Sequence, residues 1–194
     1  ELCREIEGNS YVRTTTAPDG TFILEPLPTA KDQPAGQTIQ VVAQKGRFRR
    51  VVDVPIANPC EANNATEAAF RLPGRRDQYP NTIPNIAVVT GDYDIMECVL
   101  VKLGVEAGQF DLYAGALFGG GDEPSFNDLL GNSAKMAEYN IIFINCSNDE
   151  WEGRLEDPAV RQSVEQYVAS GGRLYVTDWS YDYFEQVEAF SPII

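Results

Sequence analysis

Gly171-Gly172-Arg173-Leu174-Tyr175-Val176-Thr177-Asp178-Trp179-Ser180-Tyr181-Asp182-Tyr183-Phe184 is the stretch whose reading decides the fold. Ahead of it, Val160, Val164, Tyr167 and Val168 fall at helical spacing, and the glycine pair stops that helix. Residues 174–177 then read as a short buried strand. A polar, aromatic turn follows at the strand's carboxyl end, the edge at which open α/β sheets hold their ligands.

Working back from this stretch, the same alternation recurs. Ile86-Ala87-Val88-Val89-Thr90 is a β-branched run suited to a strand buried on both faces. Gly91-Asp92-Tyr93-Asp94 leads into a helix with apolar positions Ile95, Val99, Leu100 and Leu103, Asp94 as its N-cap and Gly104 as its stop. Phe110-Asp111-Leu112-Tyr113 is a second strand, 126–130 opens a short helix, Ile141-Ile142-Phe143-Ile144-Asn145 is a third strand, and a helix runs from Asp157 or Ser163 to Ser170. Strands alternating with helices through short connections predict right-handed βαβ units and an open, doubly wound parallel sheet over 85–194.

The first part of the chain has another rhythm. Val12, Thr14 and Thr16 alternate, Ala17-Pro18-Asp19-Gly20 is a turn, and Phe22 and Leu24 resume the alternation. Residues 37–43 and 48–54 are two more strands around Lys45-Gly46. Short strands at roughly 8–12-residue spacing predict a small β-sandwich over 1–72. The proline-punctuated, basic run 73–84 reads as a linker.

Charge supports two domains. Of 29 acidic and 15 basic residues, 84–194 holds 19 acids and 5 bases, so the whole formal charge of −14 belongs to the second part. So acidic a chain is a poor partner for nucleic acid, which needs clustered Lys and Arg. There is no histidine, which removes the commonest general base and the usual zinc ligand. No apolar run approaches the ~20 residues of a membrane span, and no signal peptide is visible. The chain begins at Glu1 without Met and stops soon after a helical pattern. It is read as a mature or processed piece, with the second domain open to being incomplete at its C-terminus and tethering left to segments outside it.

Two resemblances follow from these residues. The core Thr16-Ala17-Pro18-Asp19-Gly20-Thr21-Phe22-Ile23-Leu24-Glu25-Pro26-Leu27-Pro28, followed by Thr38-Ile39-Gln40-Val41 and Phe48, resembles the carboxypeptidase regulatory-like (transthyretin-like) β-sandwich over residues 8–72. That family implies a structural or adhesive module of secreted proteins without catalytic residues. Residues 86–91, 139–145 and 164–179 resemble the class I glutamine amidotransferase-like, flavodoxin-type domain in its ThuA-like branch. Enzymes of that family carry a cysteine on the tight turn after the strand that follows the Gly-Gly pair, with a histidine and an acid later. Here the turn reads Thr177-Asp178-Trp179-Ser180, so the glutaminase chemistry is not implied.

Four cysteines remain to be placed. Cys3 and Cys60 bracket the first domain, and a disulfide between them would stabilise it by ~4 kcal/mol on the chain-entropy model; two free buried thiols are the alternative. Cys146 follows a strand without a base beside it in sequence. It reads as a buried thiol or as the partner of Cys98 in a second disulfide, and only remotely as a nucleophile.

Placing the strand ends on one edge gathers Asp92, Asp94, Asp149, Asp178 and Asp182. Such a set suits Ca²⁺ or Mg²⁺, or else simply caps helices and solvates turns. Trp179 and Tyr181 beside these carboxylates could face a sugar or a basic side chain. The sum is a secreted, periplasmic or cell-surface bacterial protein that binds or assembles without catalysis. The alternatives are a divalent-metal hydrolase at the acidic edge and a fibre subunit joined by strand exchange.

Overall fold

A computed structural model describes residues 10–27, 38–57, 61–76, 81–115, 124–147 and 150–193. The chain divides into two compact units, 1–73 with 77–82, and 74–76 with 83–194. Each has its own sheet.

In the first unit, β1 (Thr38–Lys45) and β2 (Phe48–Pro55) form an antiparallel hairpin, in register from Thr38↔Pro55 to Lys45↔Phe48. Gly46 takes the positive φ, 58°, that a two-residue hairpin asks of its first turn residue. Each strand carries a valine pair, Val41-Val42 and Val51-Val52, and Val41 reaches the interior. The predicted turn at 17–20 is present: Gly20 N–H donates to Ala17 O at 2.9 Å, and Asp19 accepts from both the N–H and the hydroxyl of Thr21.

The strands expected on either side of that turn are absent. Among the described residues, 11–16 and 22–24 pair with no strand, and Tyr11 and Ile23 stand exposed. Alternation specifies a strand only where a neighbouring edge and a core accept it. Here Phe22 instead makes a single edge-to-face contact with Phe70 of α1 (Glu67–Phe70), 5.2 Å between ring centres. The described ends of the stretch 73–84 are hydrogen-bonded. Thr82 exchanges backbone hydrogen bonds with Arg49, Asn81 Oδ1 accepts from Val51 N–H, and Gly74 O accepts from Glu106 N–H within the second unit.

The second unit holds four parallel strands, β3 (Ile86–Val89), β4 (Asp111–Tyr113), β5 (Ile141–Ile144) and β6 (Arg173–Val176), side by side in the order β4-β3-β5-β6. Helices α2 (Met96–Lys102), α3 (Asn127–Leu130), α4 (Ser133–Met136), α5 (Glu150–Leu155), α6 (Pro158–Ala169) and α7 (Asp182–Glu185) connect or follow them. β3 is buried throughout, as its unbroken apolar sequence requires. Ala87, Val89, Ile142 and Ile144 meet Leu129, Leu130, Met136, Val160, Val164 and Tyr183 in one core.

β6 lies at the sheet margin and alternates, Arg173 and Tyr175 outward, Leu174 and Val176 half-buried. Its position is set by α6. Asp157 caps that helix by accepting from Ala159 N–H, Pro158 opens it, and Gly171, with φ 94°, ends it. Gly171 and Gly172 N–H donate to Val168 O and Tyr167 O, closing the last turn. A side chain at Gly172 would enter the Tyr167 ring, with a Cβ 2.3 Å from its nearest carbon.

Helix α2 departs from its sequence reading. It begins at Met96 with Ile95 as the boundary residue, so Asp94 is not its N-cap. Of the four positions expected to face inward, only Leu100 is buried; Ile95, Val99 and Leu103 are exposed. Gly104, φ 99°, ends the helix as expected.

Gly172→Ala is expected to lower unfolding stability by about 2 kcal/mol, because the Tyr167 ring must move. Gly153→Ala, where a Cβ meets nothing within 4 Å in the middle of α5, is expected to raise it by about 0.5–1 kcal/mol. Urea unfolding of the two variants checks both signs.

Candidate functional site

β5 lies between β3 and β6, so the residues that leave its carboxyl end, Asn145-Cys146-Ser147, are flanked by Thr90-Gly91-Asp92-Tyr93-Asp94 from β3 and Thr177-Asp178-Trp179-Ser180 from β6. All three segments are tied at Cys146. Its N–H donates to Thr177 Oγ1 at 2.8 Å and is shared with Asp94 Oδ2 at 3.3 Å. Its carbonyl accepts from Tyr93 N–H at 3.2 Å. Gly91 packs so closely that a Cβ there would stand 2.1 Å from Cys146 O. Only glycine fits at that crossing.

The neighbours complete the tie. Ser147 Oγ donates to Asp92 Oδ2 at 2.7 Å, and Ser180 Oγ donates to Asn145 O at 2.7 Å. Asn145 is fully buried; its Nδ2 donates to Asp94 O and to Glu97 Oε2, while its Oδ1 is buried without a partner. The carboxylates of Asp92 and Asp94, read from sequence as cation ligands or a helix cap, are thus held by a hydroxyl and a backbone N–H. Asp178 Oδ2 lies 3.8 Å from Cys146 Sγ. Asp178 is also the one non-glycine with positive φ, 40°, among the described residues, a conformation that L-residues adopt at a cost.

The cation set expected from sequence has four members among the described residues, Asp92, Asp94, Asp178 and Asp182. Among the described residues no three acidic or cysteine side chains are arranged to hold a metal ion. Asp182 belongs to α7, and Asp149 lies outside the described residues. The Cys98–Cys146 disulfide does not form either: both thiols are free, Cys98 exposed and Cys146 buried. The reason is orientation, since Cys146 Sγ is turned to Asp178 and Ser147 O. Cys3 and Cys60 lie outside the described residues.

Cys146 is a poor nucleophile in this setting. Burial raises its thiol above the ordinary 9.0, the Asp178 and Asp94 charges add to that, and only the backbone N–H of Trp179 opposes them. A thiol that stays protonated beside two carboxylates, in a chain without histidine, lacks the thiolate and the proton carrier that acyl transfer needs. The Cys146 N–H is already taken, and an oxyanion or phosphate would meet negative charge.

What the edge does expose is aromatic. Tyr93 and Trp179 meet edge to face, 5.8 Å between ring centres, and remain 63% and 53% exposed. Their contact joins the turns after β3 and β6 across the end of β5. Tyr181 is exposed too, but its hydroxyl bonds Glu185, which raises its pKa. Trp179 and Tyr181 carry the aromatic signal of the sequence and both stand exposed; for Tyr93 the available signal was its place between two aspartates at a strand end. Asn145 and Ser147 carried no sequence signal, being ordinary polar residues whose roles come from β5 being central.

Two outcomes are expected of the thiols. Iodoacetamide should label Cys98 at neutral pH and Cys146 only after unfolding. Because the folded-state pKa of Cys146 is raised, its contribution to stability is present below the ordinary value of 9.0 and is lost as pH rises through the folded value. Unfolding midpoints between pH 8 and 10.5 should fall less steeply in Cys146→Ala than in the parent chain. No family model, no curated protein and no solved structure matches the chain, so function must be reasoned from this geometry.

Proposed function

We propose that the chain is a non-catalytic binding protein of a bacterial surface, periplasm or secreted fraction. In this reading a carboxypeptidase regulatory-like β-sandwich precedes a flavodoxin-type, amidotransferase-like domain that has lost its chemistry. The strand order, second-first-third-fourth along the sheet, supports the flavodoxin-type part, being the opening of that order. The antiparallel hairpin and the turn at 17–20 support the sandwich.

One observation carries the loss of catalysis. The strained residue on the turn after β6 is Asp178, at the place where the resembled enzymes hold a cysteine on a tight turn. The turn here is strained and carries no sulfur. Attack of an aspartate there on an acyl carbon would give a mixed anhydride in place of the thioester that a cysteine forms. The chain has no histidine, Cys146 stays protonated, and the nearby Asp92 and Asp94 carboxylates accept from Ser147 Oγ and Cys146 N–H, so the imidazole that activates such a nucleophile has no counterpart.

The test is turnover. Incubated with p-nitrophenyl acetate and with glutamine p-nitroanilide, the chain is expected to release no more nitrophenol or nitroaniline than its Asp178→Asn and Cys146→Ala variants. Release above both variants would overturn the non-catalytic reading. The compartment has a separate check: a non-reducing peptide map of the chain from an oxidising host is expected to show Cys3 joined to Cys60. A map with both alkylated would remove the support for an extracellular setting.

A further inference from the structure

The Tyr93–Trp179 pair is an exposed aromatic surface whose surroundings define what it can take. Tyr93 stands between Asp92 and Asp94, and Trp179 follows Asp178. Those three carboxylates reach Ser147 Oγ, Cys146 N–H and Cys146 Sγ, so three negative groups converge on one dipeptide. Among the described residues none of the three has a cationic partner, whereas Glu106 pairs with Arg75 and Glu138 with Lys135. The Asn145 acceptor oxygen is buried without a partner at the same strand end. Converging charge of one sign next to bare aromatic faces favours a cation whose head group is an organic ammonium or guanidinium.

A second feature decides between a small amine and a polypeptide. Starting two residues after Tyr93, Ile95, Val99 and Leu103 follow one line along α2, since Val99 N–H donates to Ile95 O and Leu103 N–H to Val99 O. All three are exposed, Leu103 at 77%. Eight residues of helical rise make that line about 12 Å long. Three apolar side chains in a row, outward on a helix, call for an apolar partner of matching length. The domain that carries them holds all of the chain's net charge of −14, which disfavours a second copy of this same face and favours a basic partner.

We propose that the carboxyl edge of this sheet, together with the outer line of α2, docks a basic, amphipathic segment of a partner polypeptide. One Lys or Arg head group lies on the Tyr93 and Trp179 rings, and the segment's apolar side chains cover Ile95, Val99 and Leu103. This deepens the binding reading above and rests on it only for the edge being free of substrate. Arg satisfies the site better than Lys, because its flat guanidinium stacks on a ring while its N–H groups reach carboxylates.

Isothermal titration calorimetry of the whole chain at low salt tests this with an eight-residue peptide of alternating Arg and Leu. Two controls are the same peptide with citrulline for Arg, and arginine amide alone. Tight binding is expected of the Arg-Leu peptide, and each control should be weaker by about tenfold or more. Trp179→Ala should weaken the peptide by about tenfold and Trp179→Phe by no more than about threefold; Leu103→Ser should weaken it severalfold. Both sites are exposed, and an unchanged melting temperature confirms that each variant is folded. The proposal is overturned if the citrulline peptide binds as well, if Trp179→Ala binds unchanged, or if arginine amide equals the peptide. Ester or anilide turnover would sink the non-catalytic reading without touching this result, and loss of Arg dependence would do the reverse.

Discussion

The second unit depends on the way one peptide group is held. Cys146 lies two residues past the end of the inner strand β5, and both its N–H and its carbonyl are claimed by the turns from the strands on either side. A parallel sheet otherwise leaves such groups at its carboxyl edge free for a ligand, and the crevice beside the point where strand order reverses is the usual place. Here β3 and β5 are the strands that flank the reversal. The close approach of Gly91 to Cys146 fills it with the chain's own backbone.

Several properties follow from that closure. Thr177 is needed as an acceptor at the end of β6, which fixes where the strained Asp178 begins its turn. Asp94 is drawn from capping α2 to bonding Cys146, which leaves α2 to start later at Met96. The carboxylates of Asp92 and Asp94 take the donors of this edge, Ser147 Oγ and Cys146 N–H. The rings of Tyr93 and Trp179 then meet edge to face across the strand end and stay more than half exposed.

The α/β pattern was readable because each buried strand is a pure apolar run and each turn carries its own marker. β3, β5 and β6 fall where the sequence placed them, to within a residue or two, and the helix read from Asp157 or Ser163 to Ser170 runs from Pro158 to Ala169, the earlier of the two starts. The four-strand parallel sheet and the antiparallel hairpin bear out the α/β class in its coarse form. What failed had a common cause: local pattern was asked to decide a tertiary question. The alternation at 11–16 and 22–24 is a strand signal without a neighbouring edge. The helical period of Ile95, Val99 and Leu103 was real, but periodicity gives a face and not the direction in which it points. The acidic residues did gather at one edge, yet which donor each carboxylate would meet depended on the position of Cys146 between two turns. No pattern in the chain encodes that.

The central claim is that Cys146 N–H is withheld from solvent and ligand by Thr177 and Asp94. Amide hydrogen exchange measured residue by residue tests it most directly. The account predicts that Cys146 exchanges as slowly as the interior of β5, and that Thr177→Val, which keeps the shape and removes the acceptor, speeds that one amide by about tenfold while leaving Val89 and Ile144 protected. A Cys146 amide that exchanges as freely as an exposed turn in the parent chain would contradict it, and the edge would again be open to a ligand.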